Sequence, residues 1–295
     1  DFVEHLFVAN THSYILFFTD KGKCYWVKVY DIPEGGRAAK GRAIVNLIGC
    51  EPDEKVSAFI SVKEFNEDHF VVMATEKGIV KKTKLSAYSN PRKKGIYAVE
   101  IRDGDKLIEA RVSTGDNDIL LGTRNGKSIR FSEEQIRPSG RKTMGVKGIT
   151  LSSEDDRLVG MLLIKREGTT VLVATEKGFG KRTEISQYRA QKRGGKGVLT
   201  MKTTEKVGKM VTIKEVVDKD DLMIITNQGV LIRQPVAQIR AIGRATQGVK
   251  LIKLGEGTLV SSITRIMTEE EGDEDGAPEE TENENSNPKT EEATS

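Results

Sequence analysis

The amino-acid sequence predicts an all-β fold, a propeller-like ring or pinwheel of about five to six four-stranded blades. Three observations lead there. First, a short apolar run ends in a Thr-x-x-Gly turn five times, with turn glycines at Gly22, Gly78, Gly126, Gly178 and Gly229. Their spacings are 56, 48, 52 and 51 residues, near the period of a propeller blade and far from a helical solenoid. Second, an Arg-x-x-x-Gly element ends 19 residues beyond four of the five turn glycines. Third, the runs between these marks are short and β-branched, and amphipathic helices of ten or more residues are scarce. A closed ring leaves only short strand edges to protect. A pair of β-sandwiches is the structural alternative, and it gives no reason for five copies of one pattern.

Each repeat reads strand, tight turn, strand, basic loop, strand, polar linker, strand. The turns are Phe17-Phe-Thr-Asp-Lys-Gly22, Met73-Ala-Thr-Glu-Lys-Gly78, Leu121-Gly-Thr-Arg-Asn-Gly126, Val173-Ala-Thr-Glu-Lys-Gly178 and Ile225-Thr-Asn-Gln-Gly229. Glycine suits the positive-φ position of such a hairpin. The basic loops are Arg37-Ala-Ala-Lys-Gly41, the shorter Arg92-Lys-Lys-Gly95, Arg141-Lys-Thr-Met-Gly145, Arg193-Gly-Gly-Lys-Gly197 and Arg244-Ala-Thr-Gln-Gly248. A strand-like segment follows each: Ala43–Ile48, Ile96–Ile101, Val146–Leu151, Val198–Met201 and Val249–Ile252. Trp26 and Phe131 sit inside strand alternation and read as core.

Residues 1–268 form the predicted ring. From Glu269 to Ser295 the chain holds 12 acidic residues and one lysine, or −11, so the net +3 of the whole leaves +14 on residues 1–268. The tail has no apolar stretch and cannot offset the entropy of folding, so it is expected to be disordered. A basic body beside an acidic tail points to a polyanion partner. The tail either solubilises the domain or competes for its basic surface.

Stacking the blades places equivalent loops on one rim, where Arg37, Arg92, Arg141, Arg193 and Arg244 become a belt of cations. Lys40, Arg42, Lys93, Lys94, Lys142, Lys147, Lys192, Lys196 and Lys250 lie around them. Lys81, Lys82, Lys181 and Arg182, just past two of the turns, form a further set of cations. A continuous basic stripe is the footprint of a duplex nucleic acid, and loop glycines let a phosphate approach backbone N–H groups. No helix is predicted to enter a groove, and the loops lack the aromatic residues of a single-strand platform. Contacts would go to phosphates, leaving sequence preference to bendability. Taken singly, each loop reads first as a solvated turn; repetition in one register favours a ligand.

Other chemistries lack their residues. No 18-residue apolar window suggests a membrane span. Cys24 and Cys50 make no disulfide framework and suit a reducing cytoplasm. His5, His12 and His69 share no motif, and neither a nucleophile elbow nor a Walker-type phosphate loop occurs. Asp155-Asp156 and Asp220-Asp221 lie in polar linkers.

Gln191-Lys-Arg-Gly-Gly-Lys-Gly197 resembles the signature box of the DNA gyrase A C-terminal domain. Phe7–His12, Lys28–Pro33, Lys40–Leu47 and Gly243–Val249 are similar to that family too, so the resemblance spans about residues 1–268. It implies a six-bladed β-pinwheel that wraps double-stranded DNA around its rim with positive handedness, enabling negative supercoiling. It makes Gln191, Lys192, Arg193, Gly194, Gly195, Lys196 and Gly197 the foremost DNA-binding residues. It implies no cofactor and no catalytic or metal residue in this chain: strand cleavage belongs to the N-terminal part of gyrase A, and the ATP and magnesium chemistry lies elsewhere in the A2B2 enzyme. Partners would then be duplex DNA, the rest of gyrase A and gyrase B, in a bacterial cytoplasm. The C-terminal domain of the A-type subunit of topoisomerase IV is the alternative, although its box is degraded. In the family the box belongs to the first blade, whereas the intact box here lies in the fourth repeat. On that reading the chain starts after the position of the first-blade box, and either such a box stands in a longer parent or Gln191–Gly197 carries its role here.

Overall fold

The computed structural model describes residues 9–35, 43–165 and 168–266. The positions Arg37, Lys40 and Arg42 and the acidic tail lie outside the described residues.

Five repeats build five antiparallel sheets. The first repeat holds β1 (Tyr14–Thr19), β2 (Lys23–Lys28), α1 (Ile44–Ile48) and β3 (Val56–Val62). The second holds β4 (Phe70–Thr75), β5 (Ile79–Lys84), β6 (Ile96–Tyr97) and β7 (Leu107–Ser113). The third holds β8 (Asp118–Thr123), β9 (Lys127–Ser132), β10 (Val146–Lys147) and β11 (Leu158–Ile164). The fourth holds β12 (Thr170–Thr175), β13 (Phe179–Glu184), β14 (Val198–Leu199) and β15 (Met210–Val216). The fifth holds β16 (Asp221–Thr226), β17 (Leu231–Pro235), β18 (Val249–Lys250) and β19 (Val260–Ile266).

The turn motif is built by its own residues. In every copy the glycine N–H donates to the threonine carbonyl at 2.9–3.0 Å. The threonine hydroxyl then accepts from the next N–H, as in Ile79 N to Thr75 Oγ1 at 3.2 Å. The glycines sit at φ between 78° and 85°, where a side chain is strained. A Cβ on Gly78 would also lie 2.8 Å from Ile149 Cγ2.

Repeats and sheets do not coincide. The short strand after each basic loop leaves its own repeat and pairs with the preceding one. The sheet orders are β3-β1-β2-β6, β10-β5-β4-β7, β11-β8-β9-β14 and β15-β12-β13-β18, with β17-β16-β19 as a three-stranded fifth sheet. The fifth lacks an outer strand because no further repeat follows it among the described residues. Its edge strand β17 leaves Leu231 and Ile232 exposed, with Val230 just before them.

The predicted strand Ala43–Ile48 is instead a helix, α1, ended by Gly49 in the left-handed region at φ 65°. Its sister segments are strands because a preceding sheet offers them an edge. No preceding sheet stands there among the described residues, so local hydrogen bonds win.

The core lies between blades rather than within one. Leu16 and Phe18 pack with Val71 and Met73 between sheets one and two. Val72 and Val80 pack with Ile119 and Ile129 between two and three. Leu120 meets Val171 and Val173 between three and four, and Leu172 meets Leu222 and Ile224 between four and five. Both faces of a middle blade are therefore buried. Phe131 is fully buried as expected, whereas Trp26 is only partly buried at the edge of its cluster. The first blade's outward face carries Ile15, Phe17 and Tyr25, covered by Ile48 of α1. Successive strands β3, β7, β11, β15 and β19 pack on one another and form the inner edges, which puts the loop-borne strands β6, β10, β14 and β18 on the perimeter.

Candidate nucleic-acid interface

Strand exchange fixes each basic loop to the blade before it. Ser139, Gln191 and Ile242, two residues before the loop arginines, donate their N–H to the carbonyls of Lys82, Arg130 and Arg182 at 2.8–2.9 Å. The glycine closing each loop lies against the same strand: a Cβ on Gly145 would meet Val80 O at 2.5 Å. Gly95, Gly145, Gly197 and Gly248 all have φ between 70° and 87°, which explains the invariable last letter of the motif.

The loops are also joined to one another. Glu100 N donates to Thr143 O at 3.1 Å, Thr150 N to Gly195 O at 2.9 Å and Lys202 N to Thr246 O at 3.0 Å. Each bond runs from the segment after one loop to the middle of the next. Residues 92–100, 141–150, 193–202 and 244–250 thus form one backbone-bonded belt along the perimeter.

The arginine at the start of each loop has a structural task. Arg141 donates to Tyr97 O at 3.1 Å, Arg193 to Lys147 O at 2.6 Å and Arg244 to Leu199 O at 3.0 Å. In all three the acceptor is the second residue of the preceding perimeter strand. Lacing therefore accounts for an arginine at the same place each time, a repetition that the sequence reading assigned to a ligand. The exposed cations on the belt or directly beside it are Arg92, Lys93, Lys94, Lys142, Lys147, Lys192, Lys196, Lys202 and Lys250, while Arg141, Arg193 and Arg244 are half-buried.

The box is the most braced loop. Arg193 N donates to Gln135 Oε1 at 2.8 Å, Arg193 Nε to Gln135 O at 3.2 Å and Gln135 Nε2 to Gln191 O at 3.3 Å. Gly194 N donates to Gly148 O at 2.7 Å, and Thr150 Oγ1 returns a bond to Gly194 O at 2.7 Å. Gly194 sits at φ 82°. Lys192 and Lys196 stay exposed on this frame. Gln135 is a brace that the sequence reading missed; nothing in its local pattern marks it.

Lys81, Lys82, Lys181 and Arg182 do not join the belt's surface. All four are buried. Lys82 pairs with Glu133 at 2.8 Å between blades, and Arg182 pairs with Asp218 and donates to Ile239 O at 2.7 Å. Lys81 and Lys181 lie under the loops: Lys81 Nζ donates to Ala98 O at 2.7 Å and to Arg141 O. Lys181 Nζ donates to Gly243 O at 2.7 Å, to Thr246 Oγ1 at 3.1 Å and to Arg244 O. Burial, then the nearby Arg141 or Arg244 cation, pulls Lys81 down to about 7 and Lys181 down to about 8. The linker acids are structural as well: Asp156 accepts from Asn125 N at 3.0 Å and Ser152 N at 3.1 Å.

Among the described residues no helix is long and apolar enough to cross a membrane, and Cys24 and Cys50 are free thiols. The family model for the DNA gyrase C-terminal domain, a β-propeller, matches residues 13–63, 69–114, 117–165, 169–216 and 220–266. The DNA gyrase A protein of Staphylococcus epidermidis is 46% identical over 273 residues, covering 92% of this chain and 30% of that protein. The same protein of Staphylococcus aureus is 46% identical over 279 residues, 93% of this chain and 31% of the relative. The chain thus spans about a third of the length of these curated relatives. The crystal structure of the C-terminal domain of DNA topoisomerase IV superposes with a TM-score of 0.80 at 25% identity, covering 88% of this chain and 80% of that one. The structure of a DNA gyrase A C-terminal domain superposes with a TM-score of 0.76 at 22% identity, covering 90% of each chain.

Proposed function

The chain belongs to the DNA gyrase C-terminal domain family, and from that premise we propose that it binds duplex DNA along its perimeter belt and bends it. The observation that carries this reading is the belt itself. Four loops are bonded end to end, and nine exposed cations line them. A convex, basic perimeter meets a duplex mainly through phosphates, so it holds many sequences and favours those that bend easily. Bending 20–30 base pairs by 40–90° costs on the order of 1–6 kcal/mol, which the phosphate contacts offset.

In this reading the chain supplies geometry and no chemistry. It acts as part of a DNA gyrase, with the rest of gyrase A and with gyrase B as partners in a bacterial cytoplasm, and the wrapped duplex is presented for directional strand passage. The deciding experiment is ligation of nicked circles in the presence of the chain, followed by measurement of linking number. Positive writhe supports wrapping; tight binding with unchanged linking number overturns it. A slope of log K against log salt near −7, from about eight neutralised phosphates, is expected in the same buffer series. The topoisomerase IV reading is favoured by the superposition with that domain, and the same linking-number assay separates the two.

A further inference from the structure

We propose that Lys81 and Lys181 are positioning residues for the duplex: each holds a buried amine under a basic loop, with no carboxylate on it among the described residues, and a phosphate seated above favours its charged form, so that DNA binding takes up protons. The inference rests on the duplex-binding reading of the belt.

The geometry separates these two lysines from Lys82 and Arg182, one residue further along the same strands, which reach Glu133 and Asp218. Lys81 is 1% exposed and Lys181 0%, and the hydrogen-bond acceptors of both are carbonyls and one hydroxyl. A buried cation without a counter-ion is expensive. The loop overhead adds a second positive charge, Arg141 in one case and Arg244 in the other. The carbonyls that each lysine holds include those of Arg141 and Arg244 themselves, so the ammonium sets the height of the loop that faces solvent.

Few ionisable groups face each amine. Around Lys81 and the Arg141 above it, among the described residues, they are Glu100, the Cys24 thiol of β2 and the Tyr88 phenol; burial raises the last two and keeps them neutral. Around Lys181 they are Arg244 and the Tyr188 phenol, which burial pushes up to about 12. Glu100 alone is anionic, and it acts at a distance on Lys81 only. With free-state values of about 7 and about 8, both amines are largely or partly neutral in the unbound chain at pH 8. A bound phosphate raises both values. The part of the affinity that depends on these charges is therefore fully present below pH 7 and is lost as pH rises through the bound-state values.

The test is calorimetry of the chain with long duplex DNA at pH 8, in two low-salt buffers of contrasting ionisation enthalpy. About one proton is expected to be taken up per chain, mostly on Lys81 and partly on Lys181. The K81M/K181M double variant should bind with that uptake removed. Binding by the parent chain without proton uptake overturns the proposal, as does uptake that persists in the double variant. If that variant loses its melting transition, R141M/R244M serves instead: with the overhead cations gone the lysines move part of the way back toward their ordinary range in the free chain, and uptake should fall measurably, while unchanged uptake overturns the proposal. Failure to bind DNA at any pH sinks the duplex reading and this one together, whereas binding without uptake sinks this one alone.

Discussion

The box loop and its two neighbours on the belt share one backbone path and stand on different supports. The residue three past each turn glycine lies beneath the next repeat's loop. It is Lys81 under residues 141–145, Ile129 under 193–197 and Lys181 under 244–248. Above each lysine is a threonine, Thr143 or Thr246, whose hydroxyl bonds back to Gly140 O or Gly243 O at 3.0 Å. Above the isoleucine is Gly195, where a Cβ would come within 3.3 Å of Ile129 Cδ1. The pairs Lys–Thr and Ile–Gly are two solutions to one problem, holding a strained loop off a blade edge. The first uses a buried charge and side-chain hydroxyls; the second uses apolar contact, glycine backbone and the Gln135 brace. The glycines of the box are thus explained by what lies beneath them as well as by a ligand above.

The largest expected effect is on binding and falls on the box loop and its two neighbours alike. Changing Lys142, Lys147, Lys192, Lys196 and Lys250 to glutamine together should weaken duplex binding by on the order of a hundredfold or more near 0.1 M salt, and should flatten the salt slope by about four. A slope that stays put would show that these side chains do not meet phosphates. Next comes the support. Gly195→Thr alone should crowd Ile129 and destabilise by about 1–3 kcal/mol; Ile129→Lys alone leaves a buried charge without its threonine. Together they rebuild the neighbouring solution, and melting curves should show a favourable coupling of about 0.5–3 kcal/mol. Simple additivity would break the comparison.

A smaller effect is expected at the closing glycine. Gly197→Ala places a side chain at φ 70° against the Ser128 carbonyl, and a loss of about 1 kcal/mol or more should lower the melting temperature by at least about 2 °C. The smallest concerns lacing. Arg193→Lys keeps the charge and removes the fork that reaches Gln135 O and Lys147 O, so stability should fall by about 1 kcal/mol while the salt slope is unchanged. A changed slope would mean that Arg193 also meets a phosphate.

Much of this was legible in the residues. The Thr-x-x-Gly turns appear where they were expected, because the threonine and glycine satisfy each other locally. The closing glycines followed from the same logic of positive φ. One reading failed and another stayed open, for related reasons. Ala43–Ile48 looks like its sister strands, and its β-branched residues are compatible with one, yet so short a segment takes the structure its neighbour offers; without an adjacent sheet it is α1. Lys81-Lys82 and Lys181-Arg182 count in the sequence as added cations with their facing left open, because alternation along a strand sends adjacent side chains to opposite faces and one face is usually wet. Here both faces of a middle blade are covered, so both members of each pair are buried.

The repeat, its turns, its positive body and its box are properties of the chain in order, set by contacts a few residues apart, and the sequence by itself determined them. Three things were decided only by the stacking of blades. Each post-loop strand belongs to the preceding sheet, each loop arginine spans to the preceding perimeter strand, and Lys81 and Lys181 hold loop carbonyls from beneath the belt. All three join residues about 45 to 75 positions apart. No local propensity encodes such a meeting; it exists because a blade is stable only when neighbouring blades cover its two faces and supply its outer edge.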